Sequence, residues 1–125
     1  MTNKHTASLN GKTFTRNSAK ATYSHVVVAA YTARELIART ERSLESYKAN
    51  RAKATAEYVG WYDEHIAADE AKLAAYRAAT DLDAPFGEFF AQGWTSRLDL
   101  ANKLAASTRA QGYSTVVVLP ATVTN

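Results

Sequence analysis

The chain has 125 residues, a formal net charge of +3, 46% hydrophobic residues and no cysteine. That length suits one compact core that buries roughly two-thirds of the surface exposed by the unfolded chain. The missing thiols exclude a disulfide framework, a cysteine nucleophile and a zinc–thiolate site, and they point to a reducing, cytoplasmic setting.

No run of about 18 apolar residues is present, and the first eight residues lack the apolar centre of a signal peptide, so neither membrane insertion nor export is expected. The positive charge is concentrated at one end. Lys4, Lys12, Arg16 and Lys20 are the only charged side chains before residue 33, whereas the rest of the chain is close to balanced. Four cations can meet a small anionic ligand but are too few for a long duplex nucleic-acid footprint.

In chain order, Asn10-Gly11 is a turn signal and Lys12–Arg16 alternates in strand fashion. The β-branched run within Tyr23–Tyr31 is a second strand. Together these predict a β-hairpin over residues 10–31 with a loop of about five residues. Residues 32–82 have no proline, one glycine and many Ala, Glu, Lys and Arg, which predicts helix. Thr32-Ala-Arg-Glu35 has the spacing of a capping box. Leu36, Ile37, Thr40, Leu44 and Tyr47 form one stripe; Tyr58, Trp61, Tyr62, Ile66, Leu73 and Tyr76 form another. The stretch Lys48–Ala54 between them holds nothing apolar larger than alanine, so it is either a hairpin tip or the exposed middle of one helix, and Gly60 is a rival break point. A single helix of nearly 50 residues would be about 70 Å long, which favours two antiparallel helices.

After Pro85, residues 83–96 read as a loop containing three of the four phenylalanines and one of the two tryptophans. Ser96-Arg-Leu-Asp99 is a second capping box, so a helix is expected over 97–111 with Gly112 at its C-terminal cap. Residues 113–124 read as a terminal strand, continuing past Pro120 at an edge. The whole is a single α+β domain over 1–125: a small antiparallel sheet from the N-terminal hairpin and the C-terminal strand, packed with a long helical hairpin and one further helix. The apolar stripes exceed what so small a sheet can cover, so a homo-oligomer is expected.

The aromatic loop is either an internal plug or a platform for a flat ligand. Burial is the better reading for Phe86, Phe89 and Phe90. Trp94 stands between Gly93 and a helix start, where a ring, Arg97 and free first-turn amides together suit a nucleotide. Support for catalysis is thin. Ser24 and His25, adjacent in a strand, should point to opposite faces and form no direct pair. No nucleophile elbow, phosphate loop or HExxH motif occurs. His65 and Asp69 share a helix face, but without a third ligand they read as a solvated charged face, and no metal or cofactor is expected. His25 is a core residue, a ligand contact or a solvent-facing side chain. Arg109 either complements its helix dipole or, with Ser114 and Thr115, binds a phosphate.

The segments Gly11-Lys-Thr-Phe-Thr-Arg16, Tyr23-Ser-His-Val-Val-Val28 and Gly93-Trp-Thr-Ser-Arg-Leu-Asp-Leu-Ala101, with a long helical middle and a closing valine strand, resemble small bacteriophage proteins. Among these the chain is similar to the Thoeris anti-defence sponge family, oligomeric proteins that sequester cyclic ADP-ribose isomers without cleaving them. The resemblance implies Phe89, Phe90 or Trp94 stacking on adenine, Arg16 and Arg97 on the pyrophosphate, and Asn102 on a sugar or base edge. It also implies Arg109 and Thr115 at a second site for cyclic oligonucleotides. The expected partner is thus a cyclic nucleotide messenger, with a protein–protein inhibitor acting through the helical hairpin as the alternative.

Overall fold

The computed structural model describes residues 2–124. Its elements are β1 (Asn3–Leu9), β2 (Lys12–Ser18), β3 (His25–Ala30), α1 (Ala33–Arg51), α2 (Ala56–Arg77), β4 (Phe90–Thr95), α3 (Leu98–Ala110), β5 (Thr115–Pro120) and β6 (Thr122–Thr124). Among the described residues this is an α+β chain with two three-stranded antiparallel sheets, ordered β2-β1-β6 and β4-β3-β5. The residues up to Ala30 and from Gly87 onward form one compact unit; Tyr31–Phe86 form a second.

In the β unit, Asn10 and Gly11 take φ of 51° and 82°. Two successive positive values match the twist of flanking strands in a two-residue hairpin turn. The hairpin so made joins β1 to β2, with Leu9 opposite Lys12. The expected pairing of Lys12–Arg16 with Tyr23–Tyr31 does not form, because β3 is the centre of the other sheet, between β4 and β5. Two facts account for this. The inward positions of β1 are His5, Ala7 and Leu9, too polar and too small to announce a strand. Residues Val26–Ala30 are all completely buried, as suits a central strand covered on both faces.

Val26 and Val28 pack with Ala7, Phe14 and Leu119 between the sheets, while Val27 and Ala29 face Ala101 and Ala105 of α3. The order of layers is therefore sheet, sheet, helix. Each fully buried valine contributes about 1.5–3 kcal/mol relative to exposure. The terminal strand serves both sheets: β5 lies on β3 and β6 on β1, and the crossing at Ala121 is held by its N–H donating to the Ser24 carbonyl at 2.8 Å. Pro120 thus ends an edge strand, as expected.

The stretch 83–96, expected as a loop, contains β4. The Val27–Gly93 and Val28–Ala91 pairings leave Gln92 as a bulge, which bends an exposed edge strand away from further pairing. Gly93 disguises the strand but has a packing role: a Cβ there would stand 2.7 Å from Leu104 Cδ2. The second capping box also fails to form. The N-cap of α3 is Arg97, in extended conformation and without a side-chain cap, and Asp99 instead pairs with Arg97 Nε at 3.3 Å. The other end is as expected, with Gly112 at φ 112° just past the helix.

In the second unit, α1 and α2 are joined by residues 52–55 and run antiparallel, since Arg51 pairs with Asp63 while Glu41 pairs with Arg77. The polar stretch is thus the hairpin tip, and Gly60 lies inside α2. Thr32 caps α1 as expected, the Glu35 N–H donating to Thr32 Oγ1 at 3.2 Å, while the Glu35 carboxylate accepts the Thr32 hydroxyl at 3.1 Å. At the base, the Phe86 N–H donates to the Tyr31 carbonyl at 2.9 Å, and Thr32 bridges Pro85. The helical hairpin is therefore inserted into the connection between two neighbouring strands, with its entry and exit clamped side by side. No helix among the described residues is long and apolar enough to cross a membrane.

Candidate functional site

One end of the β unit gathers a ring cluster around a residue that the sequence pattern does not single out. His5 is completely buried. Its Nε2 accepts the Tyr23 N–H at 3.0 Å, so the ring proton sits on Nδ1, which donates to the Arg16 carbonyl at 3.1 Å. The His5 ring meets Tyr23 edge-on at 5.0 Å and Trp94 at 6.3 Å, and the Arg16 guanidinium lies 5.0 Å above the Tyr23 ring. Only the alternation of His5 with Ala7 and Leu9 hints at an inward histidine.

Ser24 and His25 are in contact, contrary to expectation: Ser24 Oγ lies 2.7 Å from His25 Nδ1. Strand alternation fails because Ser24 precedes β3, and its backbone is tied instead to Thr95 and Ala121. Among the described residues no carboxylate bonds to His25, so the pair lacks the third member that orients and charges a catalytic base.

The other expected ligand residues are spread over the unit. Phe89 and Trp94 are half-buried and pack on the core between the sheets, with Trp94 in β4 opposite Val26. Phe90 is 60% exposed, at the end of β4 remote from Trp94. Lys12 stands over it at 5.3 Å and over Phe14 at 5.4 Å, while donating to the Phe89 carbonyl at 2.8 Å and pairing with Glu88 at 3.2 Å. Lys12 therefore ties the outer edge of one sheet to the approach of the other. Arg97 is exposed and paired with Asp99; Asn102 is exposed on α3. Arg109 Nη2 donates to the Val116 carbonyl at 3.4 Å, and Thr115 pairs with Ala30, at the end of β3 opposite His25. The fold thus groups Arg16, Tyr23 and Trp94, and leaves Phe90, Asn102, Arg109 and Thr115 elsewhere.

The helical unit carries a second aromatic group toward its tip. Trp61 packs on His65 at 3.9 Å, Tyr62 at 4.9 Å and Tyr47 at 5.9 Å, yet it remains 48% exposed, and Tyr58 one turn before it is 56% exposed. His65 donates from Nδ1 to the Trp61 carbonyl at 2.8 Å, while Asp69 is buried and accepts the Ser43 hydroxyl at 2.8 Å. Both are thereby committed within the hairpin, and no group of three or more potential metal ligands occurs among the described residues.

A groove of about 480 Å³ lies along the hairpin, lined by Leu44 and Leu73 together with charged residues that include Glu41, Lys48, Glu70 and Arg77. Ion pairs rim the unit: Lys48–Glu70 at 3.9 Å, Arg77–Glu41 at 3.6 Å and Arg34–Asp83 at 2.8 Å. Hydrogen bonding to Arg34, reinforced by its charge, holds the Asp83 carboxyl below its ordinary value; the same bond raises Arg34. Asp63 likewise raises Arg51, chiefly through their hydrogen bond. No protein-family model, curated protein or solved structure matches the chain.

Proposed function

We propose that the chain is a binding protein whose helical hairpin carries the recognition surface for another protein. The observation that carries this reading is the aromatic tip, where Trp61 and Tyr58 present about half of their surface to solvent. Trp and Tyr dominate the binding energy of protein interfaces because they bury a large area at little conformational cost, and truncating such a residue typically costs 2 kcal/mol or more. The neighbouring rings of Tyr47, Tyr62 and His65 hold Trp61 in place, so little freedom remains to be lost on binding.

A photo-crosslinking residue at position 58 tests the reading. It should capture one protein in stoichiometric yield, and Trp61→Ser should abolish the capture while leaving the circular dichroism spectrum unchanged. Capture that is no stronger than from a crosslinker at the exposed Thr13 position would overturn it.

A second reading, in line with the sponge resemblance, is that the β unit sequesters a cyclic nucleotide immune signal without cleaving it. It is favoured by one arrangement: the Arg16 guanidinium over Tyr23, with Trp94 in the same ring group. Calorimetry against cyclic ADP-ribose isomers should then give a micromolar or tighter complex that Arg16→Ala weakens, with intact ligand recovered after heat denaturation. No heat of binding, or a cleaved ligand, removes this reading.

A further inference from the structure

We propose that the outer edge of β2 takes up an extended, acidic segment of another protein as a fourth strand of the β2-β1-β6 sheet. This edge belongs to the β unit, whereas the aromatic tip belongs to the helical one.

An outer strand carries a row of backbone N–H and C=O groups that no neighbour pairs, and folds blunt such edges with bulges, prolines or short strands. The two sheets have four outer strands, β2, β6, β4 and β5. Three are blunted: β4 has the Gln92 bulge, β5 ends on Pro120 and β6 has three residues. The strand β2 has seven residues, contains no proline and pairs with β1 without a break in register.

The turn at Asn10-Gly11 decides which groups β2 offers. Residues flanking a two-residue hairpin turn exchange both backbone bonds, and bonded and non-bonded pairs alternate from there. Leu9–Lys12, Ala7–Phe14 and His5–Arg16 are accordingly the bonded pairs. The same alternation shows on the far side of β1, where the carbonyls of Thr6 and Lys4 accept the hydroxyls of Thr122 and Thr124 in β6 at 3.4 and 3.5 Å. Thr15 and Asn17, opposite Thr6 and Lys4, turn their backbone groups the other way, as does Thr13. All three residues are exposed, and none makes a backbone bond outside the strand ladder. Alternate residues from 13 to 17 span about 14 Å of edge, enough to seat a strand of about five residues.

Charge selects the occupant. Lys4, Arg16 and Lys20 are exposed and have no ion-pair partner among the described residues. They gather at one end of the edge: Lys4 lies opposite Asn17, Arg16 precedes it, and Lys20 follows the last residue of β2, Ser18, by two positions. At the other end Lys12 is paired with Glu88. No acidic side chain occurs before Glu35. A strand added beside Asn17 therefore meets an uncompensated positive field, which attracts carboxylates and repels lysines. Backbone bonding docks the segment, and charge chooses among sequences.

Fluorescence anisotropy of the full chain with a labelled peptide of alternating valine and glutamate, about as long as β2, provides the test. The peptide should bind saturably below about 1 mM, and its valine–lysine counterpart should not. Thr15→Pro removes an outward N–H while leaving the ladder to β1 intact, so it should weaken binding roughly tenfold. Thr15→Ala, which keeps the N–H, should bind as the natural chain does. Lys4→Glu combined with Lys20→Glu should remove the preference for glutamate over lysine. Methylated peptides leave the protein untouched: the edge bonds to every second peptide N–H, so methylating the valine nitrogens alone or the glutamate nitrogens alone should abolish binding in one case and spare it in the other. No binding at about 1 mM, equal binding of the lysine peptide, or an equal response to the two methylation patterns overturns the proposal. So does indifference to Thr15→Pro, or equally tight binding of a thymidine oligonucleotide of the same charge.

Discussion

Leucine in place of His5 would remove the Nε2 acceptor of the Tyr23 N–H and the side-chain donor to the Arg16 carbonyl. Each buried group left unpaired costs about 1–3 kcal/mol. His5→Leu should therefore lower stability by at least that much in urea unfolding, and His5→Gln, which keeps a donor and an acceptor, should lose less; equal losses would mean that packing alone decides the position. At Gly93 the expectation is a coupling. Gly93→Ala brings a methyl against Leu104 and should cost about 1–3 kcal/mol, but much less in a Leu104→Ala background, as a double-mutant cycle would show. Neither position is legible from residue type: a histidine and a glycine there read as a polar residue and a loop. The Ser24–His25 contact was hidden in another way, since it depends on β3 beginning at His25, two residues after the Tyr23 start that the sequence implies.

Helix caps and turns illustrate how far local chemistry reaches. Thr32 and Glu35, Gly112, and the polar tip around Lys53 all act as their residue types dictate, because the forces involved are local. Ser96–Asp99 has the same pattern as the Thr32 box yet forms no cap, since the preceding β4 pairing and the Arg97–Asp99 contact place those residues differently. The β2 strand was visible, but its partner was not; pairing depends on an upstream strand whose inward side chains are a histidine and an alanine. At the base of the hairpin, the Arg34–Asp83 pair predicts a pH dependence. The folded carboxyl of Asp83 titrates below its unfolded value, near 3.8. Its contribution is therefore fully present above that pH and is lost as pH falls through the depressed folded value. The stability difference between the natural chain and Asp83→Asn, measured by thermal unfolding, should shrink below pH 3.8 and shrink also with salt, because the pair is exposed. A difference that is constant from neutral pH to strong acid would remove Asp83 as its source.

Across the whole molecule the two tryptophans fall one in each unit, Trp61 in the helical hairpin and Trp94 in the β unit. Trp61→Phe and Trp94→Phe variants thus give separate fluorescence reports of unfolding. Most of the completely buried side chains lie in the β unit, so the Trp61 signal should be lost at lower urea than the Trp94 signal. Raising protein concentration should move the Trp61 transition upward if the hairpins associate. Coincident transitions at every concentration would show one cooperative body instead. This division follows from where the buried side chains collect, which no local pattern encodes; composition alone reads the chain as one domain.

The pairing of Lys4 with Thr124 also sets an order in time. Those partners are 120 residues apart, so the β2-β1-β6 sheet cannot be completed until Thr124 has left the ribosome. The helical hairpin needs only contacts made within residues 31–86 and can form while the rest of the chain is still being synthesised. Its aromatic tip, with Trp61 and Tyr58, can then be exposed to solvent before the β unit exists.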